Sequence, residues 1–329
     1  MLTIQPGFGD TENLCLRSPE FSLLSQPAMA KSILSPDLLA QPACSSARTL
    51  ARQYLLKALE EAARLEVQAD EDPEAVHDFR VALRRLRSWL RAFRPFLDDT
   101  LTKASLRELR LLSRIAGETR DLQVACASLR ELGKATNPSV AGEALRIERR
   151  IARDEARARS SLNRKIVGRL SRTAATLAAE LRDGELHTGT PMAVALAQLL
   201  MESLEQVETS LNRIKRVAHF EQAHQARIAV KRLRYLLEAF GGTSRLAATA
   251  VLRLTEVQDE FGRLHDAQVL ERDIGKYRAG LALRTRLRRI TRSSFRRAHR
   301  LSRSEDIRTA EDATIRLIRR LELRSRPAG

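Results

Sequence analysis

Apolar residues recur at steps of three and four along nearly the whole chain after residue 46, and this spacing predicts α-helices. The clearest stripe lies between Asp72 and Pro95. It consists of six apolar residues, Val76, Phe79, Leu83, Leu86, Leu90 and Phe93. Such a stripe must face a hydrophobic core. No segment alternates apolar and polar residues as a strand does, so the chain is predicted to be all-α.

Helix caps and breakers divide this pattern into successive elements. The predicted helices cover about 47–67, 72–94, 101–116, 121–133, 138–181, 191–214, 220–240, 244–261 and 266–279, with one or two more in 281–320. Asp121 and Asp266 each follow a glycine-containing turn, and we interpret both as N-caps. Residues 1–45 hold half of the ten prolines and little periodicity, so they are predicted to form a poorly ordered leader.

The charge balance of the chain indicates what kind of partner the protein binds. The 58 Lys and Arg residues outnumber the 41 Asp and Glu residues, and the net charge of +17 implies an anionic partner such as nucleic acid, a phosphate polymer or a membrane surface. The three cysteines show no CxxC spacing, which predicts neither a disulfide framework nor a zinc site and favours the cytoplasm. No stretch of about 18 apolar residues occurs, so no membrane insertion is expected.

An internal repeat indicates how the chain is organised. The segment 77–87 recurs at 224–234, with His, Arg, a basic pair, Leu and Arg at the same places. A second block, Gly117 to Asp121, lines up with Gly262 to Asp266 at nearly the same offset. Two matched blocks predict a duplicated helical unit, with one half at 46–185 and the other at 190–325.

Basic residues on the repeated helices form stripes next to the apolar ones. The first basic stripe is His77, Arg80, Arg84, Arg87, Arg91 and Arg94, and the second is His224, Arg227, Lys231 and Arg234. A solvated face normally mixes both signs of charge, because like charges at i,i+4 repel. The first stripe contains no acid over about five turns, and the second copy repeats its design, so we interpret both as anion-binding faces rather than solvated ones. Arginine's planar fork suits phosphate oxygens.

Three further arginines are added to the predicted anion-binding residues, and two arginines next to the stripes are left out. Arg110 and Arg114 share one face of the next helix, and Arg120 lies beside Asp121. Arg85 and Arg232 lie about 100° around the helix from the stripes, so they are expected to point away and to pair with neighbouring helices. The predicted anion-binding set is His77, Arg80, Arg84, Arg87, Arg91, Arg110, Arg114, Arg120, His224, Arg227, Lys231 and Arg234.

The histidines leave other interpretations open. His77 or His224 could be a helix-start residue satisfied by its neighbours, or a donor to a phosphate oxygen. A metal site would need carboxylates such as Asp121 and Asp266 to converge on a histidine, and no HExxH motif occurs. We therefore predict no metal and no cofactor.

At the repeated blocks the sequence resembles the CHAD family, the conserved histidine α-helical domain. The family signature is a His-x-x-Arg helix start followed by a basic Arg-Leu-Arg run, present twice, and 77–87 and 224–235 match it. Arg120-Asp121 resembles the family's Arg-Asp motif, whereas the second copy has His265 before its aspartate. The resemblance covers about 46–325. The alternating glutamates of the triphosphate-hydrolase (CYTH) domain fused to some members are absent, so a stand-alone CHAD protein is expected.

The resemblance implies two helical bundles related by a pseudo-twofold axis, with a basic central pore or cleft. It also implies binding of inorganic polyphosphate and association with polyphosphate granules. The alternative is a basic helical nucleic-acid-binding protein, although single-strand binders usually interleave aromatic residues and these stripes hold none. No P-loop, acidic metal cluster or Ser/His/Asp arrangement occurs, so an enzyme is not predicted.

Overall fold

The computed structural model describes residues 34–68, 72, 74–97, 101–182, 189–216 and 219–324, and within these residues the chain is all-α, as predicted. The helices are α1 (Pro36–Ala40), α2 (Ala43–Gln68), α3 (Ala75–Ala92), α4 (Arg94–Leu97), α5 (Lys103–Leu132), α6 (Pro138–Glu180), α7 (Met192–Asn212), α8 (Phe220–Glu238), α9 (Arg245–Asp273), α10 (Leu281–Leu301) and α11 (Glu305–Arg324). Short 3₁₀ turns occupy Gly241–Thr243 and Ile274–Tyr277.

Local sequence signals place several helices correctly. All six residues of the apolar stripe on α3 are buried. Asn137 caps the long helix α6, since its side chain accepts hydrogen bonds from the backbone N–H groups of Ser139 and Val140 at 3.0 and 3.3 Å. α3 begins at Ala75, slightly later than predicted, and the Asp72 carboxylate accepts a hydrogen bond from the Glu74 N–H at 2.9 Å.

The prediction was wrong for α5 and α9, which it divided at glycines. Each is one continuous helix that runs through Gly117 or Gly262. A glycine within a helix costs only about 0.5–1 kcal/mol relative to alanine, and the buried apolar residues on both sides outweigh that cost. Asp121 and Asp266 therefore lie in the middle of helices and are not N-caps.

Each half of the chain forms a ring of four packed helices. In the first half the ring is α2, α3, α5 and α6, and in the second half it is α7, α8, α9 and α11. The repeated helices α3 and α8 contact each other, and so do α5 and α9, while α10 lies against α9 and α6. The order of packing is the same in both rings, and the pseudo-twofold axis and the central pore stay predictions.

Two separate hydrophobic clusters leave a polar stretch between them. The larger cluster runs through both rings and includes buried residues of α5 up to Ala116 and of α9 up to Leu264. The smaller one joins the far ends of α5 and α9 to the first turns of α6 and α10, beginning at Cys126 and Leu270. The Arg120-Asp121 and His265-Asp266 pairs thus lie on neighbouring helices between the two clusters.

The predicted leader is wrong for residues 34–45. Leu34 and Leu39 are buried in the larger cluster, and the Leu34 N–H donates to the Ala239 carbonyl at 3.1 Å. The backbone of residues 41–43 hydrogen-bonds to that of residues 190–192. This segment therefore ties the first half to the second. Residues 1–33 lie outside the described residues.

Candidate anion-binding site

The basic stripes of α3 and α8 meet where these two helices contact each other. Arg80 and Arg84 come from α3, and Arg227 and Lys231 come from α8. They lie close enough that Arg80 and Arg84 both act electrostatically on Lys231, and Arg80 and Arg227 act on each other. We call these four residues the central cluster.

The central cluster carries charge that the described protein does not pair. All four side chains are half-buried. None donates a hydrogen bond to another described residue or lies within 4.0 Å of a described carboxylate, and the Nε atoms of Arg84 and Arg227 are buried without a partner. A buried donor left without a partner costs about 1–3 kcal/mol, and more if it is charged. The site therefore favours a ligand that supplies anionic oxygens.

The lowered pKa values of Lys231 and Arg84 show that the charged forms of these side chains are disfavoured in the central cluster. Burial, together with the neighbouring Arg227 and Arg84, lowers the pKa of Lys231 from its ordinary 10.5 to about 6. Burial also lowers the pKa of Arg84 to about 10. An ammonium group resists charging in such a place because it loses water and gains only positive neighbours.

Two aspartates offset part of the positive charge. Asp121 of α5 and Asp266 of α9 both act on Arg80 and Arg227. Burial raises the pKa of Asp266, and Arg227 opposes that effect. Near pH 7 the three arginines of the central cluster are charged, whereas Lys231, with a pKa of about 6, is mostly neutral. Two carboxylates therefore still leave a net positive charge, even before other basic residues are considered.

The histidines lie at the edge of the central cluster. Burial and Arg120 lower the pKa of His77 to about 4, and its Nδ1 atom is buried without a partner. The rings of His224 and His265 lie 5.1 Å apart, and burial lowers both of their pKa values, that of His265 to about 4. These histidines are therefore neutral near pH 7. Among the described residues no three His, Cys, Asp or Glu side chains converge as metal ligands would.

Tyr235 is a site residue that the sequence analysis missed. Its buried ring lies 5.3 Å from the Arg84 guanidinium and 5.0 Å from that of Arg234, a cation–π arrangement, and its hydroxyl has no partner. The available signal was the i,i+4 spacing of Arg227, Lys231 and Tyr235, which places all three on one face of α8.

Arg234 and Arg85 are held by Glu238. The Glu238 carboxylate lies 2.9 Å from Arg234 Nη1 and 3.1 Å from Arg85 Nε. The expected pairing of Arg85 with a neighbouring helix is therefore confirmed. Arg234 is buried and paired with Glu238, so the structure separates it from the unpaired cations of its predicted stripe.

The remaining predicted residues fall into two groups. Arg114 pairs with Glu118 at 3.0 Å, and Arg120 lies 3.5 Å from Glu74. Arg87, Arg91 and Arg110 instead gather together near one end of the α3–α8 contact. Arg232 lies beside Arg91 and pairs with no described carboxylate, so its expected salt bridge is wrong.

The fold and these motifs define a family. The CHAD domain model matches residues 51–275, more than half of the chain, and the protein therefore belongs to the CHAD family. No curated protein matches the sequence significantly. Each described helix is too short or too polar to span a bilayer.

Two solved structures share the architecture. The CHAD domain from the plant Ricinus communis superposes with a TM-score of 0.62 at 24% identity, over 84% of this chain and 92% of that one. PptA from Streptomyces chartreusis superposes with a TM-score of 0.61 at 17% identity, over 84% of this chain and 99% of that one. At these identities the likeness establishes the fold.

Removal of the Lys231 charge should stabilise the protein. Because the pKa of Lys231 lies below its unfolded value, the unfolded state binds more protons between about pH 6 and pH 10. Lys231→Met should raise the melting temperature, at roughly 2–4 °C per kcal/mol, most at pH 6 and progressively less as the pH rises. Calorimetry at several pH values measures this difference.

Lys276→Met is the matched control. Lys276 is exposed and lies 3.0 Å from Asp273, so its loss should change stability by no more than about 0.5 kcal/mol. A melting temperature that falls in Lys231→Met would contradict the electrostatic account of the site.

Proposed function

We propose that this protein binds inorganic polyphosphate at the central cluster, without catalysis. The observation that carries the proposal is the central cluster itself, four basic residues from two helices that form no hydrogen bond or salt bridge with the described residues. Phosphate oxygens would satisfy the open guanidinium donors and neutralise the repulsion among the cations. Cations one helical turn apart on each of two helices suit a ligand with several linked phosphates better than a single small anion.

The charge balance argues for binding rather than reaction. Phosphoryl transfer commonly uses divalent metal ions held by carboxylates. Asp121 and Asp266 face Arg80 and Arg227 instead, and no cluster of three metal-ligand side chains occurs among the described residues. These observations support a proposal of binding rather than of phosphoryl transfer.

Nucleic acid is the alternative, and the side chains favour it less. Proteins that bind single strands stack bases on exposed aromatic rings. Among the described residues one aromatic side chain, Phe220, is exposed, at 45%. The ring nearest the central cluster, Tyr235, is buried. The site therefore offers many contacts to phosphates and few to bases.

The proposal includes association with polyphosphate granules in the cytoplasm. A protein that binds the polymer accumulates wherever the polymer is concentrated, by mass action. This part depends on the cell that makes the protein, and it follows only if binding to the polymer is found.

A competition experiment tests the proposed ligand. Labelled polyphosphate should be displaced by unlabelled polyphosphate, and far less by orthophosphate, single-stranded DNA or duplex DNA at equal phosphate concentration and fixed salt. Linked phosphates occupy several cations at once, which separate ions cannot do. Equal displacement by single-stranded DNA would instead assign the site to nucleic acid.

Substitution of two neighbouring arginines tests whether binding depends on the central cluster or on the general surface charge. Arg84→Ala should weaken polyphosphate binding by about tenfold or more, since a hydrogen bond to a charged group contributes about 1.5–3 kcal/mol. It should also reduce the slope of log K against log salt by about one. Arg85→Ala removes the same charge from a residue paired with Glu238, so its effect should stay below about threefold. Equal losses in the two variants would contradict this assignment.

Polyphosphate binding should take up protons near neutral pH. The pKa of Lys231 is about 6 in the free site, and a bound polyanion raises it, so affinity should increase as the pH falls from about 8 to about 6. Isothermal calorimetry in buffers of different ionisation enthalpy measures the uptake. Lys231→Arg keeps the charge fixed and should remove most of it, whereas uptake unchanged in that variant would assign the protons to another group.

A further inference from the structure

The sequence repeat relates two groups of four residues near the α3–α8 contact, and the two groups differ in charge. By the first offset, Arg232 corresponds to Arg85, and Arg234 corresponds to Arg87. The residue one turn further along differs, since α3 has Arg91 where α8 has Glu238. By the second offset, Arg110 of α5 corresponds to Thr255 of α9. The acidic corner thus contains Arg85, Arg234, Glu238 and Thr255, and the arginine corner contains Arg232, Arg87, Arg91 and Arg110.

The acidic corner pairs its two arginines with a carboxylate, although Arg234 Nε and Glu238 Oε1 form no hydrogen bond. Glu238 bonds both Arg85 and Arg234, and the side chain of Glu238 is only 11% exposed. Arg234 also donates to Thr255 Oγ1 at 3.5 Å. A ligand anion there would meet a carboxylate, and the two guanidinium groups are already paired with it.

The arginine corner has no such partner. None of its four arginines donates a hydrogen bond to another described residue or pairs with a described carboxylate. Arg91 and Arg110 are exposed, and Arg87 and Arg232 are half-buried. Arg87 lies near Arg91 and Arg110, and Arg232 lies near Arg91, so their charged neighbours are cations.

The arginine corner continues the central cluster without a break. Along α3 the steps from Arg84 to Arg87 and on to Arg91 are three and four residues, so the basic stripe extends roughly 10 Å beyond Arg84. Along α8 the equivalent stripe passes from Lys231 to the paired Arg234 and ends at Glu238. Positive potential is therefore continuous on one side and interrupted on the other.

We propose that a polyphosphate chain held by the central cluster leaves the site over the arginine corner and not over the acidic corner. The inference rests on the proposed polyphosphate binding and adds a direction to it. Short oligophosphates then occupy the central cluster alone, whereas longer chains gain contacts with Arg87, Arg91, Arg110 and Arg232. The arginine corner makes the protein select for chain length.

The test compares tripolyphosphate with long-chain polyphosphate. Arg91→Glu gives the arginine corner the acid that the other corner has. It should lower the affinity for the long chain by about tenfold more than the affinity for tripolyphosphate, because several phosphate contacts are lost only from the long chain. Arg110→Glu, on a different helix, should shift the same ratio, and melting curves show whether either variant is folded.

Arg320→Glu controls for net charge, because Arg320 is an exposed residue of α11 and the substitution changes the charge equally. It should lower both affinities by the same small factor. The proposed exit over the arginine corner is contradicted if Arg91→Glu and Arg110→Glu leave the ratio of the two affinities unchanged, as Arg320→Glu should. This holds whether both affinities fall or neither does. Wild-type protein that binds neither ligand would instead overturn the proposed function.

Discussion

The proposed site depends on basic side chains being held together where two helices meet. Arg80, Arg84 and Arg227 repel one another and disfavour the charged form of Lys231, and each of the four gives up water to be there. The helices cannot rotate to relieve this repulsion, because their other faces are fixed in hydrophobic cores. Phe79 and Leu83 of α3 and Leu233 of α8 are fully buried. Rotation of either helix would expose apolar side chains at about 1.5–3 kcal/mol each.

The unbroken course of α5 and α9 between two hydrophobic clusters places two carboxylates against these cations. A cap at Asp121 or Asp266 would direct its carboxylate at the helix's own N–H groups. In mid-helix both carboxylates are free to face Arg80 and Arg227 instead. They moderate the repulsion without abolishing it, and the buried ring of Tyr235 adds a neutral surface against Arg84. The site is therefore stable enough to fold and remains electrostatically incomplete.

The sequence predicts what depends on neighbours along one helix and fails where another helix decides. The apolar stripe of α3 was predictable because burial follows its period. The continuity of α5 through Gly117 was not, since the glycine signal is local and the packing that overrides it comes from α3 and α6. Periodicity likewise grouped Arg234 with Lys231, although Glu238 one turn later captures Arg234. The attachment of residues 34–45 to the fold includes backbone hydrogen bonds with residues 190–192 and 239, which no local pattern reveals.

The repeat also shows how a single position can give direction to a site built from two similar parts. With a basic residue at the end of both stripes, a polyanion would find equivalent paths on either side of the central cluster. Glu238 disfavours one of these two paths in two ways, because it adds a negative charge and also pairs with Arg85 and Arg234. Arg91, at the matching position, does the opposite, since it adds a cation to three that are already unpaired. If the protein binds a polyanion as proposed, electrostatics favours a path over the arginine corner.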